Sequence, residues 1–204
     1  MASALERARR PVVLVNRTID HEMISSVSGD NLGGGRAVAD LLVATGCRRV
    51  AYMEGQPDTS SSRDRGLGLE LGLAAHSLSL VAHEEGGYTH EGGAAAARRL
   101  LAREPRPDAI FCANDVMAMG ALEVARVKFG LRIPDDLSIV GYDNTGSSGW
   151  PLYSLTTVDQ DLKRMAALAV ELLMSKLNGE VTDAKHIVVP ARLVVRQTTR
   201  PQTR

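Results

Sequence analysis

Short amides and carboxylates follow the apolar runs of this sequence. VVLV (12–15) is followed by Asn16-Arg17, and VAYM (50–53) by Glu54-Gly55. AIFC (109–112) is followed by Ala113-Asn114-Asp115, and SIVGY (138–142) by Asp143-Asn144. The loop QPDTSSS (56–62) leads into Arg63-Asp64-Arg65 at the start of a helical pattern. In open α/β sheets, ligands bind at the carboxyl ends of the strands. Arg65, Asn114, Asp143 and their neighbours would then offer a forked cation, amides and a carboxylate to one space. That set suits vicinal hydroxyls, each of which is donor and acceptor at once. Each residue also has a plainer role. Asn114 can be an N-cap, Asp143 an Asx-turn residue, and Arg65 a solvated helix charge. Their common place at strand ends favours the binding reading.

Other chemistry finds little support. His83-Glu-Glu-Gly-Gly-Tyr-Thr-His90 matches no zinc spacing and reads as a turn plus an acidic helix start. Gly33-Gly34-Gly35 lacks the Lys-Ser/Thr of a P-loop and the spacing of a dinucleotide turn. The glycines there would let a helix start pack closely. Gly146-Ser-Ser-Gly149 is not a nucleophile elbow. No nucleophile–base pair emerges, so an α/β enzyme acting on a small metabolite is the weaker reading. Cys47 and Cys112 make neither a disulfide framework nor a four-ligand metal site. No cofactor or metal is expected.

The elements that must position these residues alternate. Short apolar runs at 12–15, 50–53, 79–82, 109–112, 138–142, 155–158 and 187–189 read as strands buried on both faces. Between them, helical patterns fall at 32–45, 63–76, 90–103, 115–129 and 161–177. The last has the clearest stripe: Leu162, Met165, Ala169, Leu172, Leu173 and Leu177. Gly46, Gly130 and Gly179 close helices. The alternation predicts right-handed βαβ units and a parallel sheet flanked by helices.

The 204 residues carry 24 Lys plus Arg against 24 Asp plus Glu, a formal charge of zero. That balance argues against a general nucleic-acid or anionic-membrane binder. Aromatic residues are 3%, too few for a base-stacking platform. The apolar runs are too short to span a bilayer, and no signal peptide is visible at the start. The expected compartment is the cytoplasm.

Four stretches in order carry a family resemblance: IFCANDVMAMGA (110–121), RIPDDLSIVGYDN (132–144), SLTTVDQD (154–161) and ARLVVRQTT (191–199). Together they resemble the LacI/GalR family of bacterial transcriptional regulators over residues 11–200. The resemblance implies a type I periplasmic-binding-protein-like core, here mainly the C-terminal Rossmann-like subdomain. Residues 1–28 would be a remnant of the N-terminal subdomain. Residues 29–158 and 184–204 would form the C-terminal effector-binding subdomain, and 159–183 a crossover and helix belonging to the N-terminal one. The implied effector residues are Arg65 (with Gly68 as the glycine of Arg-x-x-Gly), Asn114, Asp143, Tyr88, Gln160 and Asn16. The family often has aspartate at the Asn16 position. Members that sense purines tend to lose the amide at the Asn114 position, so the implied effector is a sugar.

By the same resemblance, the function would be the sensing core of a regulator whose full-length form binds operator DNA under small-molecule control. A periplasmic-type sugar-binding protein of a transporter is the alternative. The family's helix-turn-helix headpiece has no counterpart before residue 11, so operator DNA would be read only through a headpiece absent from this chain. A homodimer and weak effector binding by this chain alone are expected. Residues 12–15 are expected to be an isolated strand, and residues 1–28 to be only partly ordered or to self-associate.

Overall fold

The computed structural model describes residues 11–19 and 24–201. The elements are β1 (Val13–Val15), β2 (Ser25–Gly29), α1 (Asn31–Ala44), β3 (Val50–Glu54), α2 (Ser60–Ala75), β4 (Ala82–Glu85), α3 (His90–Leu101) and β5 (Ala109–Cys112). Then come α4 (Asp115–Glu123), running into a π turn at Val124–Lys128, and β6 (Ser138–Val140). A short 3-10 turn (Gly146–Gly149) precedes β7 (Thr157–Asp159), α5 (Leu162–Leu177), β8 (His186–Val189) and β9 (Arg192–Val194).

Two parallel sheets organise the chain. The larger has the order β4-β3-β5-β6, every neighbour parallel. The reversal of winding between β3 and β5 is the crevice rule's switch point. Its core packs Tyr52, Phe111 and Tyr142 among aliphatic side chains of the strands and of α1 to α4. The smaller sheet has the order β1-β2-β8, also parallel. It packs with α5 around Val27, Met165, Ala169, Leu172 and Val189. Strands β7 and β9 form an antiparallel pair, bridged to β6 through Val140 and Thr156.

Local chemistry sets the helix starts. Asp30, Thr89, Asn114 and Asp161 each cap a helix, accepting from the N–H of Gly33, Gly92, Met117 and Arg164 at 2.8–3.0 Å. The close packing expected of the glycine run is present between α1 and α2. A Cβ on Gly35 would strike the Arg65 carbonyl, and one on Gly68 the Leu32 carbonyl. This contact is what fixes α2, and with it Arg65.

Three expectations need correction. The segment at 12–15 is not isolated: β1 pairs in register with β2, Val13 opposite Ser25 and Val15 opposite Val27. The partner strand, SSVSG, has no apolar run to announce it, yet it is buried throughout. Two of its hydroxyls are satisfied from the 185–186 segment. Ser25 Oγ accepts from Lys185 N–H at 3.0 Å, and Ser26 Oγ meets His186 Nδ1 at 2.9 Å. Second, 184–204 does not belong wholly to the larger unit. β8 joins the small sheet beside β2, and the chain crosses after Val189. Third, the strand expected at 79–82 lies at Ala82–Glu85, on the sheet edge where one face is solvated and the sequence is polar. Of the expected 1–28 remnant, residues 1–10 and 20–23 lie outside the described residues.

Candidate functional site

Three connections join the small sheet to the rest: β2 to α1, β7 to α5 and β8 to β9. The polar strand ends meet at the first two. Arg65 lies on the second turn of α2 and is 2% exposed. Its Nε donates to Asn31 Oδ1 at 2.8 Å and its Nη1 to the Ala113 carbonyl at 2.5 Å. Its Nη2 donates to Gln160 Oε1 at 3.3 Å, and Nη1 stands 3.6 Å from Asp143 Oδ1. The guanidinium lies over the Tyr142 ring, 3.7 Å from its centroid. Gln160 Nε2 donates to Asp143 Oδ1 at 2.7 Å. Arg65, Asp143 and Gln160 therefore form one bonded cluster at the crossover.

A second cluster sits one helical turn away. Ser61 and Arg65 are four residues apart and share a face of α2. Ser61 Oγ accepts from Arg17 Nη1 at 2.5 Å and lies 3.2 Å from the Tyr88 hydroxyl. Tyr88 also meets Thr59 Oγ1 at 3.1 Å, and Arg17 stands 5.8 Å from its ring centroid. Thr18 N–H donates to Ser60 Oγ at 2.9 Å. The segment after β1 is thus fastened to the start of α2. Asn16 ends β1 at φ 57°, its N–H donating to Val27 O at 2.9 Å. Its Oδ1 is buried with no hydrogen-bond partner among the described residues. A buried acceptor left unpaired is costly unless a ligand or water supplies the proton.

Asn114 serves as the N-cap of α4 through Oδ1. That leaves its Nδ2 donor for any ligand contact. Both readings of the sequence hold for this one amide. Glu54, also at a strand end, instead pairs with His83 at 3.1 Å. Of the six residues singled out, Arg65, Asp143 and Gln160 touch directly. Tyr88 and Asn16 belong to the neighbouring cluster, and Asn114 is joined by its neighbour Ala113. Sequence reasoning did not single out Asn31, Ser61 or Tyr142. Arg17 stood in plain view beside Asn16; an orientation toward α2 is what distinguishes it from a solvated charge.

The electrostatics are uneven. Burial pushes the Asp143 carboxyl up to about 6, with the Arg65 guanidinium pulling the other way. The Tyr142 hydroxyl is pushed up to about 12, again by burial. Backbone strain gathers here too. Asn16, Tyr88, Asp143, Asn144 and Asp161 all have positive φ, and such residues concentrate at ligand clamps and switch regions. The arrangement can accept hydroxyl protons at Asp143 and Asn16 and donate from Arg65 and Asn114. It offers no nucleophile paired with a base.

Comparison with known proteins agrees with this architecture. The periplasmic binding protein-like domain family matches residues 39–199. The HTH-type transcriptional regulator CelR of Thermobifida fusca is 35% identical over 199 residues, covering 95% of this chain and 58% of CelR. Thus the chain spans less than two thirds of that relative's length. A LacI transcriptional regulator from a Rhodococcus species superposes with a TM-score of 0.90 at 32% identity, covering 100% of this chain and 74% of that one. A CelR–cellobiose complex superposes at 0.86 and 34% identity, covering 91% and 58%.

Proposed function

The chain belongs to the LacI/GalR family of transcriptional regulators, through its periplasmic-binding-protein-like domain, and on that premise we propose that its cleft binds a sugar effector. The observation that carries the reading is the Arg65–Asp143–Gln160 cluster at the crossover, together with an Asn16 Oδ1 that has no partner among the described residues. Vicinal hydroxyls would donate to Asp143 and Asn16 and accept from Arg65 and the Asn114 Nδ2. Tyr88 would close one side. An effector spanning both sheets favours one orientation of the units they belong to, which is how a small molecule biases a two-state regulator. In a longer form bearing a DNA-reading headpiece, that bias would change operator affinity, and the coupling would run both ways. The role is sensing, not turnover, and the compartment the cytoplasm. Among the described residues, no helix is long and apolar enough to cross a membrane.

A homodimer belongs to the same reading. Val127, Trp150 and Leu152 are 82%, 59% and 67% exposed. Arg126 Nη1 donates to the Leu152 carbonyl at 2.9 Å, so the π turn and the 150–152 segment form one surface. A contiguous apolar patch of this kind is a protein-contact signature, and a self-complementary one gives a two-fold dimer.

The test is a side-chain NMR titration with cellobiose as probe, suited to weak binding. Cellobiose should shift the Arg65 Nε–H, the Gln160 and Asn114 amides, and little else. Shifts produced by adenine, with none from cellobiose or a panel of hexoses and pentoses, would overturn the sugar reading.

A further inference from the structure

Asp115 follows Asn114 but does not enter the Arg65 cluster. It is fully buried, at the first turn of a helix whose cap is already supplied by Asn114. Its carboxylate is spent elsewhere. Oδ2 accepts from Thr145 N–H at 2.7 Å and from Thr145 Oγ1 at 3.0 Å, while Oδ1 accepts from Thr157 Oγ1 at 2.5 Å. Its own N–H donates to the Tyr142 carbonyl at 2.8 Å. Thr157 Oγ1 in turn accepts from Asn144 N–H at 3.3 Å. Both ends of the segment 142–145 are therefore tied to one residue. Between them, Asp143 and Asn144 stand at φ 110° and 50°, two successive left-handed residues without a glycine. Such a pair persists only where its surroundings over-determine it. Gly141 leaves the room required, since a Cβ there would strike Asp115 Oδ1.

We propose that Asp115 is the positioning residue of the cleft: it holds the 142–145 segment so that the Asp143 carboxylate faces Arg65 and Gln160. Without that hold, the segment would relax from its left-handed conformation, and Asp143 would turn toward solvent. The consequence for ligand affinity rests on the sugar reading above; the consequence for Asp143 itself does not. The charged groups that face this segment are Arg65 on α2, Arg17 after β1, Asp159 on β7 and Arg196 after β9. Asp115 adds a buried negative charge that raises the Asp143 carboxyl further.

The variant is Asp115→Leu, which keeps the branched shape but leaves the Thr145 and Thr157 donors with no acceptor. Three readouts apply to the whole chain by NMR. Protection of the Thr145 N–H from exchange should fall at least tenfold, with β5 protection unchanged. The Asp143 side-chain carboxyl should titrate lower than in the parent, both because a like charge is gone and because the group reaches solvent. The affinity for cellobiose should fall by tenfold or more. Thr157→Val, which keeps the charge but removes one hydroxyl, should give smaller changes in the same direction and serves if Asp115→Leu does not fold. A folded variant with unchanged Thr145 protection and an unmoved Asp143 titration would overturn the proposal. If neither cellobiose nor the panel of hexoses and pentoses binds the parent chain, the sugar reading is at fault, and the first two readouts still decide the role of Asp115.

Discussion

At the residue scale, Asp143 couples the cleft to pH. Its folded value of about 6 lies above the ordinary carboxylate value of 3.8. Between those values the folded state holds the proton and the unfolded state has lost it. Stability therefore falls as pH rises through this window and levels off above about 6, by about 3 kcal/mol in all. Melting curves from pH 4 to 7 should show this slope in the parent and not in Asp143→Asn; parallel curves would refute it. Ligand affinity runs the other way, because hydroxyls donate to the ionised carboxylate. Cellobiose should bind about tenfold more weakly at pH 5 than at pH 7. Arg65 is the other side of the pair. Removing a buried partner leaves an uncompensated charge, so Arg65→Ala should cost about 3 kcal/mol or more in urea unfolding. Arg65→Lys would keep the charge but lose the fork and the stacking on Tyr142.

At the element scale, the α1–α2 contact positions the arginine. Gly35→Ala puts a methyl against the backbone carbonyl of Arg65, which cannot yield as a side-chain tip would. A loss of about 2 kcal/mol is expected in urea unfolding, with weakened probe binding. Gly149→Ala, with only the far end of Arg196 within reach at 3.8 Å, is the control and should change little. The glycine run at 33–35 disclosed this packing in the sequence because it lacked every alternative motif. The small sheet was less legible. β2 has three serines in five residues, and contacts with Lys185 and His186 are what make the Ser25 and Ser26 hydroxyls tolerable in a buried strand. The sequence marks β8 as a strand but not its sheet, since IVV carries no information about its partner.

At the scale of the whole molecule, the patch around Trp150 and Leu152 predicts association. The parent chain should sediment as a dimer at micromolar concentration, and Leu152→Glu should sediment as a monomer with an unchanged melting temperature. A second apolar face lies open along α5 and β8, where Val170, Met174, Leu177 and Val188 are exposed. If Leu152→Glu leaves the association intact, that face is the contact instead, and the dimer reading of the Trp150 surface fails.

The sequence by itself determined the alternation of strands and helices, the family, and which residue types stand at the strand ends. Those follow from local periodicity and short motifs, which each segment carries alone. The tertiary structure decided which strand ends meet. Arg65, Asp143 and Gln160 are up to 95 positions apart, and their hydrogen bonds exist because packing around the larger parallel sheet brings α2, the 142–145 segment and the end of β7 to one point. It also decided that Asp115 is buried beneath Thr145 and that, among the described residues, the Asn16 oxygen has no partner. Burial and hydrogen-bond partnership are properties of what surrounds a residue, and no local pattern records them.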